Sequence, residues 1–569
     1  MKILGLNAIG FNTSASLLVD GRLVFAIEEE RISREKRTRK FPIHGINYIL
    51  KKFSLKIDDI NAIAVSWNPG VNLEKFDLNY SSNNSYIPNI LHSIPNYLFK
   101  IGKVLDSKLI VQDFFIEKNK KIKIFYINHH LCHAAAFNFS GFKKASILTL
   151  DAFGEKQSAG LYYGLDNKIT EISKIFFPHS LGSFYSTFTQ ICGFVPQSDE
   201  WKLMGASAYG KKNYFYKKIK ELVDLKTDGT FELDLNFFNH YMFHRPNFHN
   251  QKLLNYLNIE ENKLNSLSSE YYNIAYAAQQ VFEETLFHIL NNFYKKTNNS
   301  NLVFSGGCAL NCLANGKIIH KTNFKKMFIP PIPDDAGAGL GAAFYVDNNI
   351  FKRKRNYVML NNYLGPETSN SEIKKKLVKY KLDFKFTKEP EKLAANLIAN
   401  NQIIGWFQGR LEFGDRALGN RSILADPRQK DIKDRINNII KYREIFRPFA
   451  PAILDEKVKE YFEEYQTSDF MEKTMKIKNI FRKKLPGITH NDGTGRLQTV
   501  KKNNNEKFYN LINEFYKLTN YPIVINTSLN YKGDPICCFV EDAIKTFYLT
   551  GLNCIIIGNY YLEKNDKKF

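Results

Sequence analysis

Two histidines four residues apart, His129 and His133, stand in the run N-H-H-L-C-H-A-A-A, and Asp151 closes the apolar run S-I-L-T-L-D that follows. On a helix, residues i and i+4 share one face, so the two imidazoles can grip one metal ion. A carboxylate at the end of a buried strand, ahead of a glycine turn, points into a cleft rather than a core. A further carboxylate, Asp335, sits at the mouth of the Gly/Ala-rich helix in P-P-I-P-D-D-A-G-A-G-L-G-A-A. Two His and two Asp make a four-ligand site with room for a substrate oxygen. Spacing alone also permits a partly buried, hydrogen-bonded helix face. The H-E-x-x-H metalloprotease pattern is excluded, because His130 stands where it needs Glu.

A second constellation is basic. Arg416 lies in G-R-L-E-F-G-D-R-A-L-G-N-R-S-I-L-A-D-P-R, Lys441 and Arg447 in K-Y-R-E-I-F-R-P-F-A-P-A, and Arg496 in H-N-D-G-T-G-R-L-Q-T-V. Guanidinium forks match phosphate oxygens, so these groups can converge on a polyanion; scattered surface charge is the plainer reading. Arg447, set among Phe446, Pro448 and Phe449, calls for a fixed anionic partner. A third pattern is S-G-G-C-A-L-N, where Gly306 and Gly307, with Asn311 close behind, form a strand–turn–helix. Backbone N–H groups there can hold a nucleotide phosphate, although tight turns use Gly-Gly as well. The charged stretch at residues 28–42 reads as a solvated turn or as an anion-binding lip over the cleft.

The elements around these residues repeat. Residues 3–30 read as strand, turn and a hairpin through Asp20-Gly21. Residues 146–174 follow the same plan, with Asn7 equivalent to Asp151 and Ser14 to Ser158. Two such units, each followed by helical sequence, predict a duplicated α/β domain with a cleft between lobes and ligands at the strand ends. Residues 182–194, 200–210 and 268–298 are helix-like, and 211–265 read as a variable insertion. Composition shifts near 348–372, which divides the chain into domains at 1–355 and 370–569. The second is expected to begin with a helix around 388–401 and a strand at 403–407.

With 569 residues the chain exceeds one compact core. Its 44% hydrophobic and 14% aromatic content argues for a folded protein. A formal charge of +23 suits anionic substrates; lysines are spread along the chain, so nucleic acid is not the expected partner. Seven cysteines without a C-x-x-C indicate reduced, cytoplasmic usage. The opening M-K-I-L-G-L-N is strand-like rather than a signal peptide, and no apolar run reaches membrane-spanning length.

These motifs, with E-E-E-R, E-W-K-L-M-G-A-S-A-Y-G, R-P-F-A-P and N-T-S-L-N, resemble in order the O-carbamoyltransferase family of nodulation-factor and antibiotic carbamoyltransferases. The resemblance covers nearly the whole chain. It implies an N-terminal duplicated actin/Hsp70-like (ASKHA) domain and a C-terminal YrdC-like α/β domain. Carbamoyl phosphate and ATP would give carbamoyl-adenylate and pyrophosphate in the second domain. The carbamoyl group would then pass to a hydroxyl of a small molecule or glycan in the first. It further implies iron, or another divalent metal, on His129, His133, Asp151 and Asp335; Asp335 fits D-x-G better than Asp334. ATP would enter with Mg2+. Arg416, Lys441, Arg447, Arg496 and Ser528 would bind carbamoyl phosphate and the adenylate, with His133, Arg447 and Lys441 catalytic, and a homodimer is compatible with the pattern. Many relatives carry His-Asp where this chain has Phe11 and Asn12, which leaves the acceptor-side residues open. The rival readings are a threonylcarbamoyl-type tRNA-modifying enzyme and a non-catalytic ATP-binding protein of actin-like fold.

Overall fold

The computed structural model describes residues 1–68, 103–106, 110–117, 120–242, 245–259, 268–441 and 449–564. The chain forms two units, Met1–Glu29 with Arg39–Met359, and Glu30–Thr38 with Leu360–Phe569. Among the described residues no helix is long and apolar enough to cross a membrane. All seven cysteines are buried and free.

The first unit holds two sheets built on one plan. One runs in the order Arg22–Glu28, Ser14–Val19, Lys2–Asn7, Ala62–Val65, Lys120–Ile127, Ile110–Glu117, Lys103–Asp106. The other runs Lys168–Phe176, Gln157–Leu165, Lys144–Gly154, Asn301–Ser305, Lys326–Phe328. In each, the first strand in sequence pairs antiparallel with its hairpin partner on one side and parallel with a later strand on the other. The Asp20-Gly21 turn has φ of 50° and 74°, the positive values a two-residue type I′ hairpin requires. It sets the Val19↔Arg22 register.

The two copies diverge at the strand ends. Asn7 pairs in register with Ser14. In the second copy the register shifts between Leu150 and Gly154. Such an irregularity re-aims side chains, and it falls on Asp151.

The second unit is a nine-stranded mixed sheet in the order Lys385–Phe386, Tyr560–Glu563, Cys554–Ile557, Ile404–Phe407, Arg421–Ala425, Ile523–Ser528, Ala450–Leu454, Thr494–Val500, Lys473–Lys476. Its central strands are apolar at consecutive positions because both faces are covered. Ile523 and Ile525 join one cluster with Leu377 and Phe547, from the helices Asn370–Lys379 and Val540–Leu549. Val524 joins the other, with Ile398 and Phe515 from Pro390–Ala399 and Glu506–Thr519.

Two expectations change. The first helix of the second unit after residue 360 is Asn370–Lys379, started by a capping box in which Ser369 and Glu372 satisfy each other's backbone N–H groups. The charged stretch at 28–42 is not wholly solvated: Glu35, Lys36, Arg39 and Lys40 are exposed, but its start is not. Glu28, Glu29, Glu30 and Arg31 are buried, and Glu30–Thr38 belongs to the second unit. Such burial is tolerable only with partners: Arg31 pairs with Glu30 at 2.8 Å, while Glu29 accepts from the backbone N–H groups of His44 and Gly45.

Candidate metal centre and arginine cluster

The helix His129–Ala134 begins where Asn128 accepts from the Leu131 N–H at 3.1 Å, a cap worth about 1 kcal/mol. Its i and i+4 imidazoles meet, with the Nε2 atoms of His129 and His133 3.1 Å apart. Asp151 Oδ2 lies 3.2 Å from His133 Nε2 and 3.6 Å from His129 Nε2. Asp335 Oδ1 lies 3.5 Å from His129 Nε2. One ligand atom from each of the four residues falls within 4.8 Å of the others.

Glycines allow this convergence. Asp335 opens the helix Asp335–Tyr345, which runs against the histidine helix and the strand Lys2–Asn7. A Cβ on Gly341 would lie 2.0 Å from the Cys132 carbonyl oxygen, and one on Gly339 would lie 2.4 Å from Asn7 N. Any larger residue would push Asp335 away from the imidazoles.

The donor set fits one divalent cation. Nitrogen and oxygen ligands sit about 2.0–2.2 Å from such an ion, so ligand atoms across it are about 4 Å apart. His129 Nδ1 faces Ser66 O at 3.4 Å, and His133 Nδ1 faces Ser305 Oγ, also at 3.4 Å. Ser305 Oγ itself donates to Pro333 O at 3.3 Å, so it accepts from His133. With a cation bound, each ring would keep its hydrogen on Nδ1 and offer its Nε2 lone pair to the ion; without one, a proton on Nε2 bridges the imidazoles and Asp151. Asp151 is steadied by the Gly307 N–H at 3.1 Å. Burial would raise the Asp151 pKa, but hydrogen bonds from His129 and His133 hold it well below the usual carboxylate range. Burial raises that of Asp335, and the Asp151 charge adds to the effect.

Glu155, which the sequence reading left without a role, supports this centre. Held at φ 41° and buried, it accepts from His129 N at 3.0 Å, Asn68 N at 2.7 Å and Asn128 Nδ2 at 2.9 Å. One carboxylate thus joins the strand end, the residue 66–68 loop and the start of the histidine helix. The signal in the sequence was an acidic residue directly after Gly154, one turn from Asp151.

At the expected phosphate turn, Gly306, Gly307 and Asn311 make contacts within the protein. Gly306 N donates to Pro333 O at 2.7 Å, and Gly307 N goes to Asp151. Asn311 caps the helix Cys312–Lys321 and bonds Gln279 at 3.0 Å. The Gly306 and Gly307 N–H groups are engaged within the protein, that of Gly307 directly on a candidate metal ligand. Near the first turn, Asn7 Nδ2 donates to Phe11 O at 3.2 Å, the Phe11 N–H bonds Asp335, and Arg39 covers the Phe11 ring at 3.6 Å.

In the second unit, the loop before the strand Arg421–Ala425 is organised by buried Glu412. Its Oε1 accepts from Leu418 N and Asn420 N at 2.8 Å each and from Arg421 N at 3.2 Å. The arginines of this tract separate by partner. Arg421 is fully buried over the Phe407 ring at 3.7 Å, with its guanidinium on the carbonyls of Gln408, Asn420, Gly409 and Pro366. Arg410 donates to Leu364 O and Gly365 O, and Arg428 pairs with Asp426 at 2.6 Å. Arg416 follows Asp415, whose carboxyl is held low; burial opposes this, and the charges of Arg416, Arg37, Arg31 and Arg496 outweigh it. Arg496 Nε donates to Met471 O at 2.7 Å. Ser528 ends the strand Ile523–Ser528 and donates to Asn530 at 2.6 Å. Arg447 and the side chain of Lys441 lie outside the described residues.

Two family models match this chain, carbamoyltransferase N-terminus over residues 2–344 and carbamoyltransferase C-terminus over residues 395–564. The chain belongs to the carbamoyltransferase family. The uncharacterized protein sll1178 of Synechocystis sp. is 36% identical over 602 residues, covering 99% of this chain and 96% of its own length. Nodulation protein NolNO of Sinorhizobium fredii is 32% identical, covering 98% of this chain and 80% of its own. The uncharacterized protein MJ1051 of Methanocaldococcus jannaschii is 32% identical, with 98% of each chain covered. The protein is thus an enzyme, an ATP- and carbamoyl-phosphate-dependent carbamoyltransferase.

Two expectations for this carbamoyltransferase follow from the centre. Glu155→Gln removes the charge that gathers the N–H groups at His129, so metal affinity is expected to fall about 10- to 100-fold with the fold retained; chelator competition measures it. In the ion-free protein His129 is pushed up to about 9. Burial would lower it, and the Asp151 hydrogen bond with the charges of Asp335, Asp151 and Glu155 prevails. A cation must displace that proton, so metal affinity is expected to rise about tenfold per pH unit up to about pH 9 and then level off. Titration calorimetry near pH 7 in buffers of different ionisation enthalpy should report about one proton released per ion. Absence of release would remove this account.

Proposed function

We propose that the carbamoyltransferase divides its reaction between its two units, activating the carbamoyl group in the second and transferring it in the first. The observation that carries this is that all four candidate metal ligands belong to one unit, and the arginines around Asp415 to the other. In this reading the units correspond to an actin/Hsp70-like (ASKHA) domain over about residues 1–355 and a YrdC-like domain over about 370–569.

For activation, carbamoyl phosphate loses its phosphoryl group to water as inorganic phosphate. The carbamate oxygen then attacks the α-phosphorus of ATP, pyrophosphate leaves, and carbamoyl-adenylate remains. Arg416, Arg496, Lys441 and Arg447 offset the phosphate charge as it redistributes, and Ser528 offers a hydroxyl to the same oxygens. For transfer, an acceptor hydroxyl attacks the carbamoyl carbon and AMP departs.

His129, His133, Asp151 and Asp335 would hold a divalent metal, iron by family resemblance. When bound, that ion supplies Lewis acidity toward an oxygen of the carbamoyl group or of the leaving AMP. Around it, burial of His129, His133 and Asp151 keeps bulk water from a mixed anhydride that would otherwise hydrolyse. Ser66 and Glu155 hold His129, Ser305 holds His133 and Gly307 holds Asp151 in place.

The acceptor class is a small molecule or glycan with a free hydroxyl, as the resemblance to nodulation-factor and antibiotic carbamoyltransferases implies. The stretches at 70–120 and 211–265 are read as shaping the acceptor pocket, and most of the first lies outside the described residues. The test is pyrophosphate release from metal-loaded protein given ATP and carbamoyl phosphate. Release that requires carbamoyl phosphate supports the division. ATP turnover indifferent to carbamoyl phosphate, in folded protein, overturns it.

A further inference from the structure

One face of the nine-stranded sheet changes from apolar to polar at two amides. Val524 and Val500 pack on it beneath the helices Pro390–Ala399 and Glu506–Thr519. Asn526 and Gln498 stand two residues from them on the same strands, Ile523–Ser528 and Thr494–Val500, and so share their face. The strand Ala450–Leu454 runs between, in the registers Ala450↔Asn526 and Ala452↔Gln498. Its two alanines leave room above them for the amides to meet, Asn526 Nδ2 donating to Gln498 Oε1 at 2.7 Å. Both amide side chains are buried.

A buried amide costs desolvation that an apolar side chain of the same shape would not. What the pair does in return is hold the loop that carries Arg416. Asn526 Nδ2 also donates to Ala417 O at 3.1 Å, and Gln498 Nε2 donates to Leu418 O at 2.9 Å. The Leu418 N–H donates to Glu412 Oε1 at 2.8 Å, so the peptide joining Ala417 to Leu418 is fixed at its carbonyl by Asn526 and at its N–H by Glu412. Tyr363 donates its hydroxyl to the same Leu418 O at 2.9 Å. Of residues 411–420, Asp415 and Arg416 are the two that are not buried. The clamp therefore grips the loop directly behind the residues that reach out of it.

We propose that Asn526 and Gln498 are positioning residues of the activation step: by fixing the carbonyls of Ala417 and Leu418 they hold Arg416 where phosphate charge develops, acting through it rather than on the substrate. This rests on the reading of Arg416 as a phosphate ligand. It gives a chemical reason for an amide at each of these positions in T-G-R-L-Q-T-V and I-V-I-N-T-S, where Arg496 and Ser528 lie two residues from them on the same face.

The experiment is a double-substitution cycle read by steady-state pyrophosphate release from the full, metal-loaded chain, with carbamoyl phosphate varied at saturating ATP and the temperature held well below every Tm. Asn526→Leu removes both donors and nearly keeps the volume. With Arg416 present it is expected to lower kcat/KM for carbamoyl phosphate about 10- to 100-fold, the cost of a misplacement of about 1 Å. Combined with Arg416→Ala it is expected to cost no more than about twofold further, because residues that act through one another are not additive. Gln498→Met, in which Leu418 O keeps the Tyr363 hydroxyl, repeats the cycle in a protein expected to fold as the parent does. The same fold-loss with and without Arg416, or no loss with Arg416 present in either variant, overturns the proposal and leaves the reading of Arg416 standing. An Arg416→Ala protein as active as the parent, or a parent whose pyrophosphate release ignores carbamoyl phosphate, overturns that reading, and this proposal with it.

Discussion

Replacing His133 with alanine is expected to strip the metal and cut carbamoyl transfer by about three orders of magnitude, while carbamoyl-phosphate-dependent pyrophosphate release stays within about twofold. A Lewis acid at a developing negative charge is worth several kcal/mol, and each 1.4 kcal/mol is about tenfold in rate. His133 supplies one of the two facing Nε2 atoms and lies 3.2 Å from Asp151. Its loss leaves three ligands and a cavity the size of an imidazole. The helix itself keeps the Asn128 cap and the Glu155 contacts to Asn128 and His129, so folding should survive. Metal content, pyrophosphate release and the mass of the carbamoylated acceptor together check the result. Equal loss of both half-reactions in folded protein would contradict a reaction divided between the units.

Arg416→Ala is expected to show the reverse pattern. Pyrophosphate release should fall by about 10²- to 10³-fold, the usual cost of removing one preorganised group from a site of developing charge, while metal binding stays stoichiometric. Arg421→Ala, five residues on, provides the contrast. Its guanidinium is spent on four backbone carbonyls and the Phe407 face, so the substitution opens a cavity and strands buried acceptors. Its expected effect is a lowered Tm, by several degrees or more, rather than a selective kinetic defect. If Arg416→Ala lost only stability and Arg421→Ala only activity, the two roles would be exchanged.

Much of this was legible in the chain itself. The i, i+4 histidines, the Asp20-Gly21 hairpin and the repeated strand–hairpin plan are local patterns, and local patterns translate directly into helix faces, turns and registers. His129, His133 and Asp151 stand out by spacing and strand-end position, and Asp335 by its place at a helix mouth and the family resemblance. Other residues carry a local signal that is ambiguous. Gly306 and Gly307 look the same whether their N–H groups meet a phosphate or, as here, Pro333 O and Asp151. The residue 28–42 stretch looks solvated by composition, since nothing local reveals that Glu28, Glu29, Glu30 and Arg31 are buried.

The chain's own order therefore decided which chemical groups are present and which short elements carry them. Tertiary structure decided their meaning. Asp335 reaches the imidazoles only because Gly339 and Gly341 let its helix touch the backbone of Asn7 and Cys132. Arg416 and Arg421 belong to one tract, yet the charge of one acts on Asp415 and the other is consumed by carbonyls. Arg31 and Arg37 join the second unit from early in the sequence. The physical reason is common to all three: backbone geometry propagates over a few residues, whereas the worth of a charge or a ligand atom depends on partners that only long-range packing brings within a few ångströms.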